Sequence, residues 1–298
     1  GRLDARRTLK SLVADLRISM IIPARWYAGG RGLDDFRADM LSDNRMTVLH
    51  DYPETKDCFP GLNIRGGICY FLWSKDHNGK CKIINHIKGN IIEDDRFLLE
   101  PGCNIFIRYN EAISILRKVQ FFLEPTLNTY VSSSKPFGMR SNFCDFKDKC
   151  DSIHNIKLYR FGDNGYVSQQ QVLSNTDLIN RYKVIVSKAS PGGDEYPHSI
   201  ISKPVISEPN SVCTETYLVI KDVHSNEEAI NLVSYIKTRF FRFMMSLAKN
   251  TQNISKASYQ FVPLQDFSKP WTDQELYQKY NLTQEEINFI ESMIRPME

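Results

Sequence analysis

The sequence predicts an α/β fold over about its first hundred residues and an α+β fold over the rest. Three observations carry that prediction. Residues 18–22 form a short unbroken apolar run that stops at Pro23, the pattern of a strand covered on both faces. A helical stretch at 33–41, opened near Asp34, separates that run from strand-like runs at 46–50 and 68–73. Around residues 90–104 the texture changes: Asp94-Asp95-Arg96 and Pro101-Gly102 read as a linker, and short strands alternate with helices beyond it.

Taken in order, Leu3, Leu9, Leu12, Val13 and Leu16 lie among Arg6, Arg7, Lys10 and Asp15, which suits an amphipathic helix over residues 3–16. After the run 18–22, a loop of aromatic, basic and glycine residues places Arg25 and Trp26 at the carboxyl end of a strand, where open α/β sheets hold their ligands. Asn78-Gly79 marks a hairpin turn into a strand at 82–87. With the boundary near residue 100, the domains are residues 1–100 and 101–298. In the second, 113–119 reads as helical, 156–161 and 166–173 as strands around an Asp163-Asn164-Gly165 turn, and 183–187 and 216–221 as further strands. Residues 227–248 read as one long helix, with Ile230, Val233, Ile236, Phe240 and Phe243 at helical spacing, Ser225 as its cap and Glu228 completing a capping box. Two short C-terminal helices are each opened by a threonine, Thr272 and Thr283.

At 298 residues, 42% hydrophobic and 24% charged, the chain has the composition of an ordinary soluble protein. No apolar run approaches membrane-spanning length, and there is no signal-peptide pattern. The seven cysteines are scattered without a CxxC pair and the six histidines show no ligand spacing. That pattern speaks for reduced thiols in the cytoplasm and against a zinc site. A net charge of +3 singles out no partner. Lys237, Arg239, Arg242, Lys249 and Lys256 follow one another with no acid between them, either as a stripe for phosphates or as the solvated face of a core helix. Asp51 and Glu54 form no supported acid pair, and neither GxSxG nor HExxH is present.

Four segments suit a nucleic acid. In Pro23-Ala-Arg-Trp26, either Trp26 stacks on a base with Arg25 at a phosphate, or Trp26 packs as a lid on the sheet with Arg25 in solvent. Gly29-Gly30-Arg31-Gly32 precedes a helix as a phosphate cradle does, but it has neither the GxGxxG nor the Walker pattern and reads as a flexible loop. Lys135-Pro-Phe-Gly-Met-Arg140 sets a cation at each end of a proline-glycine loop. Either it enters a DNA groove, with Arg140 reading a guanine edge or holding a phosphate, or it is a surface loop anchored by Phe137. Lys188-Ala-Ser-Pro-Gly-Gly193, followed by Lys203-Pro204, is open to the same two readings. The candidate DNA contacts are therefore Arg25, Trp26, Lys135, Phe137, Arg140, Lys188 and Lys203.

The chain resembles the gamma-class adenine-N6 DNA methyltransferases of restriction-modification systems, the group that includes the TaqI enzyme. Ser19-Met-Ile-Ile-Pro-Ala-Arg-Trp26, Phe36-Arg37, Phe59-Pro60 and Gly66-Gly-Ile-Cys-Tyr-Phe-Leu-Trp73 resemble the last strands of that family's catalytic domain. Lys135-Pro-Phe-Gly138, the run from Glu208 to Tyr217 and the run from Asn231 to Arg242 resemble its target-recognition region, and the tail with Pro270-Trp-Thr-Asp273 also resembles this group. The resemblance implies an incomplete Rossmann-like methyltransferase half followed by an α+β target-recognition domain, with double-stranded DNA as partner. It also implies S-adenosylmethionine as cofactor of the complete enzyme. Neither the family's glycine-containing cofactor motif nor its Asn/Asp-Pro-Pro-Tyr motif occurs in this sequence, so no catalytic or cofactor residue carries over. Adenine N6 is a weak nucleophile that the family extrudes, stacks on an aromatic ring and activates through that tetrapeptide. The expectation is a DNA-binding part that does not methylate alone and needs no cofactor of its own. Its first strand's open edge would be covered by the helix at 2–16, a second copy, or a separate subunit. The rival reading is a stand-alone, non-enzymatic DNA specificity subunit; a nuclease would need an acidic metal-binding pair that is not found.

Overall fold

The computed structural model describes residues 17–29, 32–87, 89–189, 197–249 and 253–298. The expected helix at 3–16, the centre of the 29–32 glycine loop and most of the 188–193 loop lie outside them. The described residues are mixed α/β and fall into two units: those of Gly1–Ser114 with Leu247–Thr251, and those of Ile115–Ser246 with Gln252–Glu298.

The first unit is built on one five-stranded sheet. Strand β1 (Arg17–Pro23) leads through a one-turn 3-10 helix (Ala24–Tyr27) and helix α1 (Asp34–Ser42) to β2 (Met46–Tyr52). Strands β3 (Ile68–Ser74), β4 (Cys81–Ile87) and β5 (Asn90–Arg96) complete the order β1-β3-β2-β4-β5. β3 runs antiparallel to both β1 and β2, so those two share a direction, as the ends of a strand–helix–strand crossover do. β2 and β4 are parallel. Three expectations change here. β3 and β4 are not a hairpin, because β2 lies between them; the hairpin is β4–β5. The acidic stretch read as a linker is β5 itself, whose Glu93 meets Lys82 of β4 at 2.8 Å. β1 is not covered on both faces: Ile18 is buried, whereas Ile21 is 58% exposed. Among the described strands β1 has one neighbour, β3.

One face of this sheet packs on a core of Trp26, Tyr27, Leu41, Leu49, Phe71 and Phe106. A buried polar network crosses the same region. Arg108 donates to both carboxylate oxygens of Asp51 (2.8 and 2.9 Å) and to the Gly66 carbonyl (2.9 Å). Asn85 donates to the Arg108 carbonyl and accepts from the Asn110 amide, while Asn110 accepts from Arg96. Asp51 is thus a structural anchor, fully buried and paired.

The other face carries a half-buried aromatic ladder. His50 stacks on Tyr70 and His86 on Tyr52, each at 4.1 Å, and His50 Nδ1 lies 2.9 Å from His86 Nε2. One ring donates and the other accepts, so charging both sets two cations side by side. Burial first, then for His50 the facing His86, pulls both imidazoles below their ordinary value of 6.5. A lowered imidazole favours folding above its unfolded value and loses that contribution as pH falls through the folded one. Thermal unfolding is therefore expected to drop between pH 7.5 and 5 with a part of the slope that His86→Gln removes. An unchanged slope in that variant would exclude the pair as its source.

In the second unit, β10 (Ser211–Cys213), β6 (Ile156–Tyr159) and β7 (Gly165–Val167) form one sheet. β11 (Tyr217–Val223), β8 (Tyr182–Ser187) and β9 (Val205–Ser207) form another. Helix α2 (Asn110–Phe121) carries the chain from one unit to the other. The strand expected at 166–173 ends at Val167, where Ser168 and Gln171 close a capping box on a 3-10 turn. The long helix expected at 227–248 is two, α3 (Asn226–Lys237) and α4 (Arg239–Ser246). Thr238 breaks it: its hydroxyl accepts the Phe241 amide at 3.1 Å, and Asp273 accepts the Arg239 and Phe240 amides. A new helix start leaves free N–H groups, and these two side chains satisfy them. Ser225 caps α3 as expected, but Glu228 does not complete the capping box, because its carboxylate accepts the His224 amide at 2.9 Å. Thr272 and Thr283 cap α5 (Asp273–Lys279) and α6 (Gln284–Met293).

Candidate nucleic-acid interface

The Lys135–Arg140 segment is a fixed turn. Lys135 O accepts the Gly138 amide at 3.2 Å, and Gly138 sits at φ +85°, where a Cβ would come 2.7 Å from Leu173 Cβ. Phe137 is wholly buried, its carbonyl accepts from the Leu173 amide, and Pro136 O accepts the Ser174 hydroxyl. Lys135 and Arg140 stand exposed at the two ends of this turn.

The second candidate loop meets the first at Lys188. Its backbone is pinned by Thr216 O (2.8 Å) and the Ile254 amide (3.0 Å), and its Nζ donates to Ser134 Oγ at 2.6 Å. Ser202 donates to the Ala189 carbonyl, so exposed Lys203, one residue on, belongs to the same edge. Segments more than 50 residues apart in sequence thereby meet at Lys188 and Ser134, and the exposed Lys135, Arg140 and Lys203 lie on the segments so joined; this joined edge is the rim. Arg140 and Lys203 form no ion pair among the described residues.

Glu215 lies within this rim. Its amide donates to Met139 O at 2.9 Å, and its Oε1 accepts the Ser141 amide at 3.0 Å. The Ser141 amide foremost, then the Ser141 side chain, Lys135 and Lys188, hold its carboxyl below the usual range. Leu173, 76% exposed, packs against Gly138 of the turn. Neither residue is singled out by the sequence, because only the fold sets them beside residues 135–141.

Two predicted contacts are corrected. Trp26 is 1% exposed and packs edge-to-face against Tyr27 and Phe36, so it has no free face for a base. Phe137 is the anchor of its turn for the same reason. Arg25 is exposed on the 3-10 turn of the first unit, which Arg37 braces from behind through Trp26 O (3.0 Å) and Gly29 O (3.2 Å). In the basic run at 237–256, the two arginines are not free to meet phosphates. Arg242 is 1% exposed and donates to the carbonyls of Thr238, Lys237 and Arg295, and Arg239 pairs with Glu291 at 2.9 Å. Buried Lys183 is likewise spent on the carbonyls of Leu178, Ile179 and Arg181, and burial lowers its pKa to about 8. Burial pushes the thiols of Cys69, Cys81 and Cys213 up to about 12, which leaves them unreactive. No described helix is long and apolar enough to cross a membrane.

Residues 6–59, which include β1, α1 and β2, match the family model of the Eco57I restriction-modification methylase. Over 67 residues the chain is 37% identical to an uncharacterized adenine-specific methylase of Mycoplasma pneumoniae, a match that covers 22% of this chain and 16% of that protein. Among solved structures, the type IIG restriction endonuclease BpuSI is similar over 90% of this chain and 42% of its own, at 10% identity and a TM-score of 0.34. The type IIL restriction-modification enzyme MmeI, solved in complex with DNA, is similar over 85% of this chain and 39% of its own, at 8% identity and a TM-score of 0.45. The chain thus spans less than half of each of these proteins.

Proposed function

We propose that this chain is the DNA-binding, target-recognising part of a site-specific adenine-N6 DNA methyltransferase of a restriction-modification system, of the gamma class. The observation that supports the reading is the meeting of the Lys135–Arg140 turn and the Lys188–Ala189 segment through Lys188 and Ser134, which brings cations of separate segments together. The methylase match at residues 6–59 supplies the reaction class. In this reading Lys135, Lys188 and Lys203 hold phosphates, Arg140 reaches a base edge, and Arg25 lies near the target base.

The methyl donor of the complete enzyme would be S-adenosylmethionine. The described residues at the carboxyl end of β1 do not fit it. Trp26 and Tyr27 are each 1% exposed and belong to the core, and Arg37 is committed to Asp34 and to two carbonyls. The chain alone is expected not to methylate. The side of β1 away from β3 has no partner among the described strands, and in this reading it is covered by the helix at 2–16, a second copy or a separate subunit.

The test is duplex binding by the whole chain, followed by fluorescence anisotropy across a salt series. Binding at low salt is expected, with log K falling linearly in log salt. Affinity no better than that of a neutral control protein at low salt would refute the reading.

A further inference from the structure

The rim holds an acid that a phosphate-binding surface does not need. Glu215 is fixed at both its backbone and its carboxylate, by Met139 O and the Ser141 amide. That second bond sets the carboxylate against the residue that follows Arg140, and the cations that act on it are Lys135 and Lys188, so Arg140 is left for another partner. We propose that Arg140 and Glu215 together read one G·C base pair in the major groove, Arg140 donating to guanine O6 and N7 and Glu215 accepting from the cytosine N4 amino group.

This inference rests on the DNA-binding reading above. Four points carry it. A carboxylate facing phosphates is repelled, whereas the cytosine amino group is a donor that a carboxylate accepts in the major groove. The G·C edge sets two acceptors beside one donor, the complement of a guanidinium fork beside a carboxylate. The surrounding cations, Lys135 foremost with Lys188, keep Glu215 ionised after the Ser141 hydrogen bonds have lowered its pKa. Finally, the turn that carries Arg140 is fixed by buried Phe137 and by Gly138, so the fork is presented without first ordering a loop.

The test is selection of duplexes from a random pool by the whole chain, compared with Glu215→Gln and Arg140→Ala. Glutamine retains an acceptor for the Ser141 amide, so the turn persists, but it pairs with adenine better than with cytosine. The wild-type motif is expected to contain a G·C position at which both variants lose about 5- to 150-fold in discrimination, and at which Glu215→Gln admits A·T. Affinity of Glu215→Gln for mixed-sequence DNA is expected to hold or rise, because an anion has been removed. Arg140 is exposed, so its variant reports even if the Glu215 variant unfolds. A wild-type chain that binds with a motif both variants preserve, or variants that weaken all sequences equally, would overturn the pair reading alone. A wild-type chain that binds no duplex would overturn the DNA-binding reading and this inference with it.

Discussion

Gly67→Ala is expected to leave the chain largely unfolded. Gly67 adopts φ +74°, and a Cβ there would lie 2.1 Å from Tyr52 O and 2.7 Å from both Pro53 O and Arg108 Nη2. Two of those atoms are backbone carbonyls at the end of β2, which cannot swing aside as a side-chain tip does. The third belongs to the guanidinium that binds Asp51 and Gly66 O, so relieving the clash breaks a buried ion pair. Separating such a pair costs about 3–5 kcal/mol, and the left-handed backbone adds roughly 1–2 kcal/mol for a residue with a Cβ. That is comparable to the about 5–15 kcal/mol that stabilises a whole domain. Gly61→Ala is the control: φ is +87° there too, but nothing lies within 4 Å of the Cβ, so only the backbone cost applies. Urea unfolding of the two variants separates the contributions. Equal midpoints would mean that the β2 end yields more easily than its packing implies.

What was legible in the sequence was what is local. A cap is a matter of four residues, so Ser225, Thr272 and Thr283 announce their helices, and all three hold the expected amides. The same local logic does not find the break at Thr238. Its hydroxyl starts a second helix only with Asp273, 35 residues on, to take the neighbouring amides. The place of β3 between β1 and β2 follows from pairing, not from pattern, so Asn78-Gly79 suggests a hairpin that the sheet order excludes. At the candidate interface the cations were legible because a lysine beside a proline-glycine turn stays in solvent. The aromatics were not, because whether Trp26 or Phe137 faces water depends on what the rest of the chain packs against it. Glu215 was invisible for the same reason: its role follows from its contact with Ser141, 74 residues away.

Replacing Lys135, Lys188 and Lys203 together by alanine is expected to weaken duplex binding about 500-fold at 0.1 M salt. Each phosphate contact steepens the dependence of log K on log salt by about 0.9, so at 0.1 M one contact is worth about 8-fold and three about 500-fold. The slope itself is expected to flatten by about 2.7. Lysines are the right probes because an ammonium acts on phosphate as a point charge, while the guanidinium of Arg140 is reserved for a base edge. The three differ in setting: Lys188 is held by Ser134, whereas Lys135 and Lys203 are exposed. A smaller effect from Lys188→Ala alone would mean that its hydrogen bond, not its charge, is what joins the loops. Lys75→Ala with Lys80→Ala removes exposed charge from the first unit and leaves the rim untouched, so it controls for net charge. If that pair lowers affinity and flattens the slope as much per lysine as the triple variant does, the rim is not the phosphate contact. A triple variant with unchanged slope and lost sequence preference would instead place these lysines on base edges, and the phosphates would then have to be met elsewhere on the chain.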